Sequence, residues 1–570
     1  MRGSLSAAAL AAGLTLSVGA PAAPTLHHEG IQHVLLISID GMHSVDFINC
    51  AHGVNGGAPY CPHIAALRRD GVNYLDAATS RPSDSFPGLM AILTGATPRT
   101  MGVYYDVAYD RALAPPATTT GNGVTGGTCT PGVFNGTTTE YEEGIDINQM
   151  YLDGISASGP DGGVGSIDPG KLPRDPANGC APVWPWNFIR VNTIFGVIHD
   201  AGGYTAWEDK HPAYSSVSGP NTSGPANVPQ HLDDFYAPEI NSVPIALPFP
   251  GCSAANDPNF ANLGAYTDSF TFTRCYDQLK VVGVLNEIEG YTHNRAAKAP
   301  VPTLFGMNFQ AVSVGQKLIE PTVGAGGYSD ASGAPSALLQ QQIEYVDGAI
   351  GSFIAALRRQ GLSESTLVII TAKHGQSPID SQRYTRITSS GPLTTSPSRL
   401  IDACLPDSES NAGNQIGPTE DDVSLLWLKS GCDAATEAGV LETQSPASAN
   451  IAGIGQIFYG AAVTQMFNAP GLPPKDSRTP DIVVTPNVGV TYSKSTAKQA
   501  EHGGFAHDDV NVMLLVSNPH LDAHTVTTPV TTSQVAPTIL EALGLAPARL
   551  QAVQREGTEV LPLFPARAPD

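Results

Sequence analysis

The chain has 570 residues, enough for one large α/β domain with insertions or for two domains. It carries 29 Lys and Arg against 52 Asp and Glu, and the resulting net charge of −23 argues against nucleic acid as a scaffold partner. Hydrophobic residues make up 41%, too many for a disordered chain, while 59 Gly and 47 Pro indicate long ordered loops. We therefore expect a globular, loop-rich protein.

The first 23 residues have the pattern of a secretory signal. Arg2 is followed by an apolar run from Leu5 to Val18 and by the small residues Ala20-Pro21-Ala22. A buried helix is the alternative, which the Gly and Pro in this stretch disfavour. We expect a mature chain of residues 24–570 that is secreted or periplasmic, and no later window is apolar for long enough to span a membrane.

Eight cysteines follow the predicted signal, an even count that favours disulfides in an exported protein. Neighbouring pairs would each close one loop-rich excursion, although the spacing leaves the connectivity open: Cys50 with Cys61, Cys129 with Cys180, Cys252 with Cys275, and Cys404 with Cys432. No pair has the CxxC spacing, which disfavours a thiolate metal site.

Apolar, β-branched runs predict three buried strands: His33–Ile39, Leu367–Thr371 and Val510–Val516. Apolar residues at helical spacing predict helices over Ala337–Gln360 and Ser533–Leu543. We therefore predict an α/β fold with a mostly parallel central sheet flanked by helices on both faces. Gly/Pro/Thr-rich stretches at about 110–190 and 378–470 predict insertions in a single domain that spans residues 24–570.

Four chemically active segments are scattered along the chain. Asp40 follows the first predicted strand, Lys373-His374 follow the second, Ser85 precedes Phe86-Pro87, and His502 precedes Gly503-Gly504. Strand ends in an α/β sheet face the ligand crevice. An acid, a hydroxyl and imidazoles brought together there can hold a divalent cation that activates a hydroxyl and neutralises a phosphoryl oxygen. Each segment alone also fits a turn, a helix N-cap or a loop.

These segments form an ordered series with others that cover nearly the whole mature chain: Leu36–Gly41, Ser85–Pro87 with Leu93–Gly95, Val346-Asp347, Ile369–Gln376, Pro480–Val483, His502–Gly504, and Val535–Leu540 with Leu543–Leu545. Together they resemble the alkaline phosphatase superfamily, in particular its type I phosphodiesterase and nucleotide pyrophosphatase branch. The resemblance implies an alkaline phosphatase-like fold and hydrolysis of phosphate esters.

The resemblance also implies a role for each matching residue. Asp40 would bind a metal, and Ser85 would ligate the same metal and attack phosphorus in line, forming a phosphoryl-enzyme ester that water then cleaves. His374 would ligate that metal and His502 a second one. The implied cofactor is a divalent metal, zinc by preference, as one or two ions, with calcium left open.

Three departures from the family pattern concern these ligands. Lys373 stands where the family has a metal-binding Asp, and Gly88 stands where the branch has a phosphate-contacting Asn. The family's Pro-Asp…Gly-His segment appears here as Phe305–Gln310 with Gly315-Gln316 downstream. Among the mapped positions only Asp40 is a carboxylate, whereas a zinc pair needs several anionic ligands.

One arrangement reconciles these departures. The Lys373 ammonium would replace one cation and stabilise developing charge, leaving a single metal held by Asp40, Ser85 and His374. Amide oxygens of Asn308 or Gln316 would complete its coordination, somewhat as in sulfatases, which use one cation with a lysine.

A further polar cluster, Trp207–Pro212, follows a predicted strand. Lys210 and His211 in this cluster are candidates for contacting an anionic leaving group, and a solvated loop is the alternative.

The sequence thus predicts an exported, metal-dependent hydrolase of small phosphate esters, closer to a diesterase or pyrophosphatase than to a monoesterase, with Ser85 as nucleophile and Lys373 as a second catalytic group. Two alternatives stay open. One is a single-metal sulfatase- or phosphonate-hydrolase-like enzyme, although Ser85 lacks the Cys/Ser-x-Pro-x-Arg context of sulfatases. The other is a non-catalytic extracellular binding protein on the same fold.

Overall fold

The computed structural model describes residues 30–156, 159–388, 396–410, 416–447, 453–467, 476–493 and 495–564. The predicted secretory signal lies outside these residues. The strands of this part are β1 His33–Ile39, β2 Gly71–Ala78, β3 Val107–Asp110, β4 Thr137–Glu140, β5 Arg174–Asp175, β6 Ala181–Pro182, β7 Ala206–Glu208, β8 Asp234–Tyr236, β9 Leu304–Phe309, β10 Ile319–Glu320, β11 Gly324–Ala325, β12 Thr366–Thr371, β13 Thr385–Ile387, β14 Thr419–Glu420, β15 Ser424–Leu426, β16 Ile454–Tyr459, β17 Ile482–Pro486, β18 Val490–Tyr492, β19 Asn511–Ser517, β20 His524–Val526 and β21 Val530–Thr531.

The α-helices of the same residues are α1 Ser44–His52, α2 Pro62–Leu67, α3 Ser85–Thr94, α4 Pro98–Met101, α5 Pro185–Phe188, α6 Ile194–His199, α7 Phe270–Ile288, α8 Ala311–Lys317, α9 Ala337–Gln360, α10 Pro397–Leu400, α11 Ala434–Ala447, α12 Ala461–Phe467, α13 His507–Val510, α14 Val535–Ala542 and α15 Gln551–Glu556.

A mostly parallel sheet forms the centre of the molecule. Its strand order is β20-β2-β19-β12-β1-β9-β7-β8, and β21 also pairs with β2. β1 lies between β12 and β9 and runs parallel to both, whereas β19 is antiparallel to its two neighbours. Val34 to Ile39 are all buried, which explains why β1 is a continuous apolar run rather than an alternating one.

Two groups of helices pack against this sheet in one apolar core. α7, α8 and α9 contact one another, and α3, α6 and α14 form the other group. The prediction of a helix over Ala337–Gln360 is confirmed, because Ser336 caps its first turn and Gly361 ends it in the left-handed conformation. The predicted closing helix is confirmed as α14, preceded by a 3₁₀ turn. The third predicted strand is shifted by one residue, to β19.

The two loop-rich excursions differ in structure. The first, at about 110–190, contains short strands and turns among its described residues. The second, at about 378–470, contributes β14, β15 and β16 to a separate four-stranded sheet completed by β17. Whether the whole chain folds as one domain stays a prediction.

All eight cysteines are paired as sequence neighbours: Cys50–Cys61, Cys129–Cys180, Cys252–Cys275 and Cys404–Cys432. The neighbouring pairing considered from the sequence is therefore confirmed.

Candidate active site

The central strands bring Asp40, Lys373 and His374 to one edge of the sheet. β1 and β12 are adjacent and parallel, with Ser38 opposite Thr371, so the residues that follow them emerge side by side. Their exposed fractions are 1%, 0% and 0%. A buried acid, ammonium and imidazole in contact require mutual pairing, since each charge alone would be costly to bury.

Ser85 is the first residue of α3. The Asp84 side chain caps this helix by accepting a hydrogen bond from the Phe86 amide, which fixes the backbone around Ser85. Gly88, one turn later, packs against the carbonyl oxygen of Lys373, and a Cβ at this position would overlap it. The glycine therefore lets the start of α3 approach the end of β12.

The Ser85 hydroxyl lies between a base and a cation. Its Oγ is 3.2 Å from His374 Nε2 and 3.2 Å from Lys210 Nζ. Lys210 follows β7, which pairs with β9 in the same sheet, so this third strand end also reaches the site. The predicted leaving-group contact at Lys210 is thus a contact to the candidate nucleophile itself.

His374 is held in one tautomer. Its Nδ1 donates to the Gly375 carbonyl at 2.8 Å, and this leaves the lone pair of Nε2 facing Ser85. Burial lowers the pKa of His374 to about 4, with a further contribution from Lys373 and with Asp40 opposing. The imidazole is therefore neutral at pH 7 and can accept a proton from the hydroxyl.

Lys210 is paired with Glu142. Burial lowers the pKa of Lys210, but the carboxylates of Glu142 and Asp40 outweigh it and raise that pKa above its usual range. Burial likewise opposes ionisation of Glu142, yet Lys210 holds the pKa of this carboxyl well below normal. The Tyr214 hydroxyl also donates to Glu142 Oε1 at 3.1 Å. Lys210 is therefore a permanent cation beside Ser85.

Asp40 is the counter-ion of Lys373, with Oδ2 3.3 Å from Nζ and 3.8 Å from His374 Nε2. Although burial raises the pKa of Asp40, Lys373 and His374 bring it down to about 2. In the orientation that satisfies its neighbours, the Asn308 amide donates to Asp40 Oδ1 at 2.7 Å and accepts from Lys373 Nζ at 3.2 Å. Gln310 donates to Asp40 Oδ2. Asn308 thus bridges an ion pair.

Gln316 is held through its amide nitrogen, whereas its Oε1 is buried and has no hydrogen-bond partner among the described residues. Its Nε2 donates to the Gly41 carbonyl at 2.7 Å and to the Tyr328 hydroxyl at 2.8 Å. Neither Ser85 nor Asp40 is among its hydrogen-bond partners in the part of the chain that is described.

The two remaining predicted histidines lie next to the centre. The His502 ring stacks on the His374 ring with centroids 4.0 Å apart, and its Nδ1 is 3.5 Å from Asp84 Oδ1. Burial and then His374 hold the pKa of His502 well below normal. His211 donates or accepts through Nδ1 at 2.8 Å from Glu239 and is 3.9 Å from Glu142. His211 and Lys210 therefore approach the same carboxylate, that of Glu142.

Sequence reasoning missed Glu142 and Tyr214. Glu142 comes from the first loop-rich excursion, where no periodicity or motif marks it, and Tyr214 follows the Trp207–Pro212 cluster in a 3₁₀ helix. Only the unbalanced charge of a buried Lys210 would have called for a partner such as Glu142. Asp84 had a usable signal, because an Asp just before a helix start is a typical N-cap.

A cleft of about 310 Å³ is lined by Glu142, Lys210, His211, Lys317, Lys498 and His502 among others, whereas the buried Ser85, Asp40, Lys373 and His374 lie behind this lining. It is large enough for a small ester and places cationic and acidic groups around it.

The donor set does not fit the divalent-metal centre that the family resemblance implies. Among the described residues, one group of three His, Cys, Asp or Glu donors converges closely enough to hold an ion: Cys404, Cys432 and Glu437. Two of these are joined in a disulfide and offer no thiolate. Near Ser85, the candidate donors are the carboxylates of Asp40 and Asp84, the Ser85 hydroxyl and the imidazoles of His374 and His502, and no three of these carboxylates and imidazoles converge closely enough to hold an ion.

Two ammonium groups add to this misfit. An ion bonded at about 2.1 Å to Asp40 Oδ2 would lie within about 5.4 Å of Lys373 Nζ, and one bonded to Ser85 Oγ equally close to Lys210 Nζ. At an effective dielectric constant of about 20, each ammonium would repel a divalent ion by about 6 kcal/mol.

The chain resembles known proteins in sequence pattern and in fold. Residues 34–141 and 320–507, more than half of the chain, match the family described as type I phosphodiesterase / nucleotide pyrophosphatase. No curated protein matches the chain in sequence. Mouse ectonucleotide pyrophosphatase / phosphodiesterase 5 has the same fold, at a TM-score of 0.51 and 14% identity over 90% of this chain and 96% of that one.

A second structure of the mouse protein, an inactive variant in complex with AMP, gives the same TM-score of 0.51, identity of 14% and coverage of 90% and 96%. No helix in the described part of the chain is long and apolar enough to cross a membrane.

The matched family is typically dependent on divalent metals, and that dependence is the feature from which the donors at Ser85 depart. By the share of its length that matches, the chain belongs to the type I phosphodiesterase / nucleotide pyrophosphatase family.

Proposed function

We propose that this chain hydrolyses phosphodiesters through a covalent intermediate on Ser85. The observation that carries the proposal is the placement of Ser85 Oγ, 3.2 Å from the unprotonated nitrogen of a neutral imidazole and 3.2 Å from an ammonium. A serine hydroxyl is a weak nucleophile until a base removes its proton and a cation stabilises the oxyanion, and both groups are in contact here.

In the first half-reaction, Ser85 Oγ attacks phosphorus and the bond from phosphorus to the leaving oxygen breaks. The Ser85 proton passes to His374 Nε2 and stays there, while the leaving oxygen, on the opposite side of phosphorus from Oγ, takes a proton from solvent and departs as an alcohol or a protonated phosphate. Lys210 stabilises the developing charge on Oγ, and Lys373, whose Nζ lies 3.3 Å from Asp40 Oδ2, is the second cation that we assign to the non-bridging oxygens.

In the second half-reaction, a water molecule attacks the phosphorylated Ser85. The protonated His374 Nε2 returns its proton to Ser85 Oγ as the serine–phosphorus bond breaks, and the attacking water releases a proton to solvent. The products are a phosphomonoester and the regenerated hydroxyl, so the cycle needs no further reactant.

We propose a nucleotide ester or pyrophosphate as the substrate class. Membership in a nucleotide pyrophosphatase family supports it, and so does the AMP bound by the mouse protein of the same fold. The cleft of about 310 Å³ has the size of a small-molecule site.

The test is hydrolysis of bis-p-nitrophenyl phosphate beside p-nitrophenyl phosphate and p-nitrophenyl sulfate. Ser85→Ala should abolish diester turnover, whereas Ser352→Ala, on the exposed side of α9, should leave it unchanged. A preference for the sulfate ester would favour the sulfatase-like alternative. Absence of turnover with all three esters would favour a binding protein.

We also propose that the chain acts outside the cytoplasm. Four disulfides support this, because such bonds persist in oxidising compartments. The expected result is recovery of the protein from the medium or periplasm of the source cells without residues 1–23. Recovery from the cytoplasm with that segment intact would contradict export.

A further inference from the structure

We propose that Lys210 and Lys373 together supply the positive charge that a divalent cation supplies elsewhere in the family, so that this chain acts on phosphate esters without a bound metal. The inference rests on the proposed function and deepens it. It assigns a catalytic role to Lys210 and explains why the expected carboxylate ligands are missing around Ser85.

The first argument is placement. Lys210 Nζ contacts the candidate nucleophile at 3.2 Å, and Lys373 Nζ contacts Asp40, the acid that the resemblance assigns to metal binding, at 3.3 Å. A Lewis acid at this site would have to contact the same two oxygen atoms, Ser85 Oγ and Asp40 Oδ2. Because the ammonium groups already contact them, they serve the two tasks of a metal, stabilising the oxyanion and neutralising phosphoryl oxygens.

The second argument is charge balance. Lys210 is paired with Glu142 and Lys373 with Asp40, and all four side chains are buried. These two cations and two anions balance one another, so this group of four side chains is neutral before substrate binds. A bound divalent ion would add two uncompensated charges to it, whereas a phosphodiester adds one negative charge that both ammonium groups can contact.

The third argument is that one aromatic side chain, Tyr214, contacts both lysines. The Tyr214 ring lies under both cations, with its centroid 4.7 Å from Lys373 Nζ and 5.9 Å from Lys210 Nζ, and its hydroxyl donates to Glu142. One fully buried side chain thus holds both ammonium groups and one counter-ion. Tyr214 is a positioning residue, and its arrangement is that of a built two-cation site.

The first experiment measures metal content and metal dependence. The metal content of the purified wild-type protein is quantified first. The protein is then dialysed against EDTA and 1,10-phenanthroline, and diester turnover is compared before and after dialysis. We expect less than about 0.1 equivalent of zinc, calcium or manganese and a change in rate below about twofold. Stoichiometric metal, or activity lost on chelation and restored by zinc, would overturn the inference.

The second experiment measures binding of inorganic phosphate by calorimetry in the presence of EDTA. Lys210→Met and Lys373→Met should each weaken binding by at least about tenfold, and the exposed Lys429→Met should not. If a methionine variant fails to fold, the charge-balanced double variants Lys210→Met/Glu142→Gln and Lys373→Met/Asp40→Asn, which remove a cation together with its counter-ion, take its place. Equal phosphate binding by the folded lysine variants and the wild type would contradict the assignment.

A third variant tests the reverse exchange. Lys373→Asp places a second carboxylate beside Asp40 and His374 and should create a site for about one equivalent of zinc. The wild type should bind none in the same titration, and zinc binding by the wild type would refute the inference.

These readouts separate the inference from the proposed function. If Ser85→Ala keeps full turnover, the nucleophile assignment fails, while the metal and phosphate measurements still decide whether the lysines replace a cation. If no ester is hydrolysed, the proposed function fails, and zinc binding by the wild type would overturn the inference as well, whereas metal-free phosphate binding that depends on both lysines would support only the exchange of a cation for the two lysines.

Discussion

Removal of the Lys210 charge should lower the rate of diester hydrolysis by about two orders of magnitude. Lys210 Nζ lies 3.2 Å from Ser85 Oγ. A unit charge pair at that distance interacts by about 5 kcal/mol at an effective dielectric constant of 20. If Oγ carries about half a charge in the transition state, the loss is about 2.5 kcal/mol, or nearly 10²-fold in kcat. Loss of one oxyanion donor in other enzymes costs about 10²–10³.

Lys210→Met alone has a second effect, because it leaves the Glu142 carboxylate buried without its cation. The double variant Lys210→Met/Glu142→Gln removes both charges and should recover thermal stability without recovering the rate. The assay is kcat for bis-p-nitrophenyl phosphate, with the melting temperature followed for each variant and Lys429→Met as the matched control. A double variant that turns over within about threefold of wild type would refute the reasoning.

Three further expectations follow from the same geometry. Gly88→Asn, which introduces the residue of the family branch, should push α3 away from the Lys373 carbonyl. The variant should be less stable by about 1–3 kcal/mol and have a lower kcat, and a kcat equal to that of the wild type would contradict this packing. Because the pKa of His374 is about 4, kcat/KM should fall only below about pH 5, and a plateau that begins above pH 6 would argue against this base. Thermal stability should fall as pH rises from about 6.5 to 8, and a rising melting temperature would count against it. In that window the unfolded chain has already released protons that the folded state retains on five buried carboxyls, whose pKa values burial raises to about 7 or 8: Asp84, Glu140, Glu143, Glu409 and Asp509.

The sequence predicts the frame of the site because strand ends are local features. β1 and β12 are continuous apolar runs, and the residues that follow them must emerge at the carboxyl edge of a parallel sheet. The amino-acid sequence alone therefore suffices to place Asp40, Lys373 and His374 together. The helix over Ala337–Gln360 is equally predictable, since its cap and its terminal glycine are both encoded at its ends.

The partners of these residues depend on tertiary contacts that no local pattern encodes. Glu142 comes from an irregular excursion and reaches Lys210 only after the chain has folded around β7. Asn308 lies on β9 next to β1, and this pairing places its amide between Asp40 and Lys373. The sequence therefore predicts which residues converge, but not which charge each of them neutralises.

The most direct test of the central claim is the detection of a phosphoryl group on Ser85 during turnover. Rapid acid quenching of the protein with bis-p-nitrophenyl phosphate, followed by peptide mass spectrometry, should reveal a phosphorylated peptide that contains Ser85, and Ser85→Ala should yield none. Turnover with no adduct at Ser85, or an unchanged rate in Ser85→Ala, would contradict the account.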